Sequence, residues 1–149
     1  MKNKNLYTVI SFILTAMLIT SVIFLMFFAP KITGLYIQNK SADLQNSYTT
    51  IIWLIYAALT VALGALLTLL RLLQNVKDGI IFSSSTFVVM TALSLFCFAE
   101  CTIFFALGFF FTLSYILSFA ALFLGVLLLV VRFVLAEATE IKAENDYTV

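Results

Sequence analysis

Three long apolar stretches separated by short polar segments dominate the pattern along this chain. The first covers about residues 6–29 and the second about residues 49–73, each close to the 20 or so residues that a helix needs to cross a bilayer core. The third runs from Thr86 to Val131 and carries a single charge. As one helix it would measure about 70 Å, roughly twice the thickness of that core.

The third stretch must therefore turn back on itself inside the apolar region. Gly108 is the only glycine near its middle, which favours a tight turn there. The stretch then divides into spans at about 86–107 and 112–136. The pattern predicts an all-α membrane protein, a bundle of four transmembrane helices in one domain over residues 1–149.

The polar segments predict where the helices end. Pro30 lacks a backbone N–H and is expected to close the first span, leaving residues 31–48 as a polar loop. Residues 74–85 form a second, shorter connection. Gly79 suits the C-cap of the helix before it, and one of the three serines at 83–85 is expected to cap the next helix.

Composition agrees with a membrane domain and narrows the function. Of the 149 residues, 64% are hydrophobic and 10% charged, against about 25% charged in soluble domains. The net charge of +1 gives no broad basic field, so direct binding of nucleic acid is not expected. Histidine is absent, which removes the commonest general base and metal ligand. We expect no enzyme activity, no cofactor and no metal site.

The N-terminal segment raises the question of a signal peptide. Its charged start, Met1 to Asn5, fits one, but the following apolar run is longer than the 7–15 residues typical of such peptides. We therefore expect a retained first span.

The distribution of basic residues predicts the orientation in the membrane. Six lie on one side: Lys2, Lys4, Arg71, Lys77, Arg132 and Lys142. Two lie on the other: Lys31 and Lys40. The excess favours placing both termini in the cytoplasm.

Small residues recur at helical spacing in two spans. The fourth span carries Ser114, Ser118, Ala121 and Gly125, and the second carries a matching stripe at Ala58, Ala62 and Ala65. Helices in lipid associate by close backbone approach at such stripes. The stripe of the fourth span is expected to serve packing within one bundle or, alternatively, a homodimer face.

Glu100 is the one ionisable residue deep in a span, with Cys97 and Cys101 beside it. An intramembrane carboxylate indicates either a proton or cation site or a polar contact that specifies helix packing. Tyr56 lies at a similar depth and is a candidate hydrogen-bond donor to it. Two thiols and one carboxylate lack the further ligands of a metal site, so cysteines that pack are the simpler interpretation.

The last span ends in the most highly charged segment of the chain, residues 137–149. If the helix continues past Arg132, then Glu137, Glu140 and Glu144 share one face at spacing i, i+3, i+7. This arm is either a solubilising collar or a docking surface for a cytoplasmic partner.

Two segments resemble a known family. The connection reads NVKDGIIFS from Asn75 to Ser83, like a pattern of N-V-K-[DE]-G, two residues and F-[ST]. The terminus reads KAENDYTV from Lys142 to Val149, like a closing E-N-D-[LFY]-T-[VI]. Both are similar to a bacterial four-span membrane family called domain of unknown function 2975.

The resemblance implies a regulatory role, because such proteins are often encoded beside a Cro/C1-type helix-turn-helix regulator. On that basis we expect a non-enzymatic protein of the bacterial cytoplasmic membrane whose cytoplasmic face binds or restrains such a regulator. The candidate partner-binding residues are Glu137, Glu140, Glu144, Asn145, Asp146, Tyr147, Lys77, Asp78 and Phe82. The alternatives are a small oligomeric transporter or channel using Glu100, and a structural subunit of a membrane complex.

Overall fold

The computed structural model describes residues 2–38, 42–80 and 83–147, and within them the only regular structure is α-helix. The helices are α1 (Lys2–Gln38), α2 (Ala42–Asn46), α3 (Tyr48–Lys77), α4 (Ser84–Gly108) and α5 (Leu113–Tyr147). This confirms the prediction of an all-α fold.

Four of these helices are long and apolar enough to cross a membrane. The qualifying segments are Tyr7–Gln38, Tyr48–Lys77, Ser84–Gly108 and Leu113–Ile141. The predicted number of spans is therefore confirmed by length and composition. The short α2 is too small to cross a bilayer.

The long helices pack against each other in chain order. Within the described ranges, α1 contacts α3, α3 contacts α4 and α4 contacts α5, whereas α1 and α5 do not meet. The four spans thus form an open row, with α1 and α5 at its two edges. Each edge helix has a single long neighbour.

The sequence pattern predicts that the first span ends at Pro30, and this prediction is wrong. The helix continues through Pro30 to Gln38. A proline in a helix leaves the carbonyl four residues earlier without its N–H donor, here the carbonyl of Met26. The hydroxyl of Tyr56 donates a hydrogen bond to that oxygen at 3.2 Å. A neighbouring helix thereby supplies the donor that proline removes.

The predicted loop over residues 31–48 is also wrong for most of its length. Its first part belongs to α1 and a later part forms α2. Tyr48 opens α3, and its hydroxyl donates to the carbonyl of Pro30 at 3.3 Å. At this end of the row Ile37, Ile51 and Leu107 form a buried apolar cluster that joins α1, α3 and α4.

The connection between α3 and α4 follows the predicted caps. Gly79 has a φ of +74°, the left-handed conformation that favours glycine after a helix. Its N–H donates to the carbonyl of Val76 at 3.2 Å, and the N–H of Ile80 donates to that of Asn75 at 2.9 Å, which together make a Schellman motif. The hydroxyl of Ser83 accepts the N–H of Thr86 and caps α4.

The predicted reversal at Gly108 is present and very tight. Helix α4 ends at Gly108 and α5 begins at Leu113. A Cβ at position 108 would lie 2.5 Å from a ring carbon of Tyr115, so only glycine allows this approach.

Large apolar side chains are exposed and small polar ones are buried, the reverse of the pattern in a protein that folds in water. Large apolar side chains face outward, for example Phe27 at 80% and Phe119 at 71% exposure. Several of the least exposed residues are small and polar, such as Thr15 at 4% and Ser94 at 0%. An apolar surface this extensive requires an apolar solvent, and close contact between small residues is how helices associate in lipid.

Candidate functional site

The small-residue stripe of α5 lies against α4. Ser114, Ser118 and Gly125 are buried and Ala121 is half-buried. A Cβ added at Gly125 would come within 2.8 Å of the Phe98 ring and 3.2 Å of the Cys97 Cβ. The stripe is therefore occupied by a helix of the same chain.

Two hydrogen bonds, one buried and one partly buried, cross the same interface. The hydroxyl of Ser94 on α4 donates to the carbonyl of Gly125 at 2.8 Å, and that of Ser118 on α5 donates to the carbonyl of Cys101 at 2.8 Å. Backbone oxygens accept these bonds only because small side chains let the two helices approach closely.

The alanine stripe of the second span does not meet the stripe of α5. Ala58 is buried, while Ala62 and Ala65 are half-buried. Helix α4 lies between α3 and α5, which do not contact each other in the part of the chain that is described. The two stripes thus serve different interfaces.

Glu100 projects from α4 with both carboxylate oxygens buried, and no hydrogen-bond partner reaches them among the described residues. The residues one heptad before and after it, Leu93 and Leu107, are buried on the same helical face. Gly64 contacts Phe96, and Ile51 clusters with Leu107, so α3 passes this face antiparallel to α4.

The expected contact between Tyr56 and Glu100 is not formed. The Tyr56 hydroxyl instead donates to the carbonyl of Met26 on α1. The Met26 carbonyl lacks its helical N–H donor because of Pro30, and it accepts the hydrogen bond that was expected to reach the Glu100 carboxylate. The buried carboxylate of Glu100 therefore has no hydrogen-bond partner within the described residues.

The two cysteines contribute to packing between α4 and α5. Both are free thiols and half-buried. The Cys101 Sγ lies 3.3 Å from the Ser118 hydroxyl, and the Cys97 Cβ lies beside Gly125. Over the residues that are described, no group of three or more metal-ligating side chains comes together.

In the connection between α3 and α4, some residues form an internal hydrogen-bond network and others are exposed. Asn75 donates to the Thr86 hydroxyl at 3.2 Å, and Thr86 donates to the carbonyl of Ile80 at 2.7 Å. Thr86 is 1% exposed, so this network is internal. Lys77 and Asp78 are exposed on its outside.

Phe82, the remaining candidate in this connection, lies outside the described residues.

The C-terminal arm is a direct continuation of α5. Contacts between Ser94 and Gly125 and between Cys101 and Ser118 fix the antiparallel register, which places the start of α4 opposite about residue 135. The helix continues to Tyr147, about 18 Å further. Glu137 and Glu140 are exposed on this projection.

The other arm candidates are Glu144, Asn145, Asp146 and Tyr147. Their backbone is helical and their side chains lie outside the described part of the structure. The arm and Lys77 lie at the same end of the row, but α4 separates α5 from α3. The two parts of the predicted partner surface are therefore not in contact.

Arg132 has a structural position that its sequence context did not reveal. From the sequence it marks the end of the last span, yet it follows Gly125 by one heptad on the face toward α4. Its Nε is buried without a hydrogen-bond partner in the described ranges. With six residues of α4 it lines a groove of about 540 Å³. The i, i+7 relation to Gly125 was the available sequence signal.

Four apolar helices with outward-facing large side chains and inward-facing small polar ones define a multi-pass membrane protein. The family model described as "Protein of unknown function (DUF2975)" matches residues 2–149, and the chain belongs to that family. Comparison with curated proteins and with solved structures gave no match.

Proposed function

We propose that this protein is a non-enzymatic regulator in the bacterial cytoplasmic membrane, with both termini in the cytoplasm, that binds or restrains a small soluble helix-turn-helix regulator. The observation that carries the proposal is the continuous helix α5, which leaves the apolar row and projects about 18 Å with Glu137 and Glu140 exposed. A collar that only confers solubility needs charge but no ordered helical face.

The chemistry of the arm suits a basic partner. A helix-turn-helix protein binds DNA through a surface that neutralises phosphates. Glutamates repeated along one helical face present carboxylates to the same basic side chains and compete with DNA for them. Such restraint requires binding alone, with no catalytic group.

The test is recovery of the adjacent-gene helix-turn-helix regulator on the full chain in detergent. The variant carries Glu137→Gln, Glu140→Gln and Glu144→Gln, which removes three charges and keeps the helix. We expect at least a tenfold loss of recovery, which is the effect of losing even one charge-assisted contact worth about 1.5 kcal/mol. Deleting the chain after Ala136 should have the same effect.

The matched control carries Ala138→Gln, an exposed position about 100° around the helix axis from Glu137 and outside the arc of the three glutamates. It should recover the regulator as the unmodified chain does. Undiminished recovery with the glutamine triple variant would contradict the proposal.

A second candidate function is a small oligomeric transporter or channel that uses Glu100. Its support is the buried and unpartnered carboxylate within the described residues. Proton or cation flux into liposomes, measured with the unmodified chain and Glu100→Gln, distinguishes the two. Flux that Glu100→Gln abolishes favours transport, whereas a regulator or a structural subunit should move nothing.

A further inference from the structure

A groove with one cationic end runs between the first turns of α4 and the last apolar turns of α5. Its volume of about 540 Å³ lies within the range typical of small-molecule sites. Ser84, Phe87, Val88, Thr91, Ala92, Leu95 and Arg132 line it.

The groove is cationic at one end and mainly apolar along the rest of its length, where the hydroxyl of Thr91 bonds to the carbonyl of Phe87 in its own helix. Arg132 lies opposite about Phe87 in the α4–α5 register, one helical turn inside the start of α4. Ser84 lies at that start, where the first N–H groups of the helix point outward. Further along α4 the floor is made by Val88 and Leu95, which are 67% and 62% exposed.

The Nε of Arg132 has no hydrogen-bond partner within the described residues, and the guanidinium lies over the Phe133 ring, 5.3 Å from its centroid. A ring contact leaves the N–H donors free, and a charged group at this depth is stabilised by an opposite charge. The nearest acids on α5 are Glu137 and Glu140. They lie roughly 140° and 80° around the helix axis from Arg132 and more than one turn further out. A guanidinium so placed, with a buried Nε, favours an anion from outside the chain.

We propose that this groove binds an anionic phospholipid, with its phosphate on Arg132 and an acyl chain along Val88 and Leu95. The charge complementarity selects the phosphate, and the membrane depth and apolar floor select a lipid over a soluble anion. The site belongs to the leaflet at which α5 leaves the membrane. It does not depend on the proposed regulatory function.

The experiment measures lipids retained by the full chain, using native mass spectrometry after equilibration in detergent with phosphatidylglycerol or phosphatidylcholine. The unmodified chain should retain phosphatidylglycerol in preference. Arg132→Gln removes the charged donors and should weaken that retention about tenfold, the effect of losing a charge-assisted hydrogen bond. Arg132→Lys keeps the charge without the planar fork and should lose less.

The matched control is Arg71→Gln, which removes an exposed arginine of α3 near the same end of the row. It should leave retention unchanged. An equal loss in this variant would overturn the proposal in favour of a general basic surface. If Arg132→Gln does not yield folded protein, Val88→Trp decides, because it keeps the charge and fills the apolar floor; retention unchanged by Val88→Trp overturns the proposal.

Two further ligands separate the sources of the binding chemistry. Diacylglycerol has the acyl chains without the phosphate, and inorganic phosphate has the charge without the chains. Weak retention of both relative to phosphatidylglycerol supports a lipid site. Retention of diacylglycerol equal to that of phosphatidylglycerol overturns the role of Arg132. Inorganic phosphate that displaces phosphatidylglycerol at comparable concentration overturns the role of the groove.

Discussion

The α4–α5 pair and the α1–α3 pair solve the problem of joining helices in lipid by different means. In the first, small residues bring two backbones together and serine hydroxyls bond to carbonyls that already have a helical donor, as Ser94 does to Gly125. In the second, Pro30 removes a helical donor and Tyr56 replaces it from the neighbouring helix. The α4–α5 interface uses close approach of two backbones, whereas the α1–α3 interface supplies a hydrogen-bond donor that α1 lacks.

The difference lies in what each hydrogen bond replaces. The carbonyl of Gly125 would keep an ordinary helical bond if the serine were lost. The carbonyl of Met26 would have no donor at all in an environment without water, where an unsatisfied polar group is costly. We therefore expect steric substitutions to damage α4–α5 most, and loss of a single hydroxyl to damage α1–α3 most.

The largest expected effect comes from filling the close approach at Gly125. Gly125→Leu forces side-chain atoms into Phe98 and Cys97, where even a Cβ would be 2.8 and 3.2 Å away. We expect a loss of about 3 kcal/mol in the free energy of unfolding, typical of overpacking. Thermal unfolding in detergent, followed by circular dichroism, measures it.

The same substitution at Gly34 is the control. No atom lies within 4 Å of a Cβ at that position. Gly34→Leu should preserve stability or raise it by up to about 1 kcal/mol through helix propensity. Equal losses at the two glycines would show that close approach is not what holds α4 to α5.

The next effect concerns the Met26 carbonyl of α1, which Pro30 leaves without a helical N–H donor. Tyr56→Phe leaves the Met26 carbonyl without a donor, and we expect a cost of about 1.5 kcal/mol. With Pro30→Ala, residue 30 regains its N–H and can bond to Met26. Tyr56→Phe should then cost close to nothing.

A double-mutant cycle of Pro30→Ala and Tyr56→Phe measures this coupling by thermal unfolding. Additive effects of the two substitutions would rule out the compensation that we infer.

The smallest effect is expected at Ser94. Ser94→Ala removes a buried interhelical bond but leaves the Gly125 carbonyl its helical donor. The expected loss is about 0.6 kcal/mol, the average for such bonds in membrane proteins. Thr102→Ala is the matched control, since its hydroxyl is exposed and bonds within its own helix to Phe98. A loss at Ser94 larger than that at Tyr56 would reverse the comparison.

The sequence predicted those features of the fold that are determined by residues close together in the chain. Four spans follow from the length of the apolar runs, and Gly79 and Ser83 lie where their backbone chemistry predicts. Pro30 was misinterpreted because its compensation comes from Tyr56, 26 residues away, which no local rule contains. The predicted hydrogen bond from Tyr56 to Glu100 is absent for the same reason, since the Tyr56 hydroxyl has one proton and donates it to the Met26 carbonyl.

The candidate surfaces were predictable only in part. The spacing of Glu137 and Glu140 gave a shared face once the helix was known to continue. That Lys77 and the arm are separated by α4 depends on the order of helices in the row, which spacing does not contain. The groove beside Arg132 arises between two helices and has no signature in either one alone.

The absence of a break in α5 has a mechanical consequence. From about residue 135, opposite the start of α4, to Tyr147 is about 18 Å of continuous helix. Because the helix is unbroken, a tilt of roughly 5° within the bundle displaces the far end of this projection by about 1.5 Å. The arm thus reports on the angle of the span that carries it, with no hinge between them.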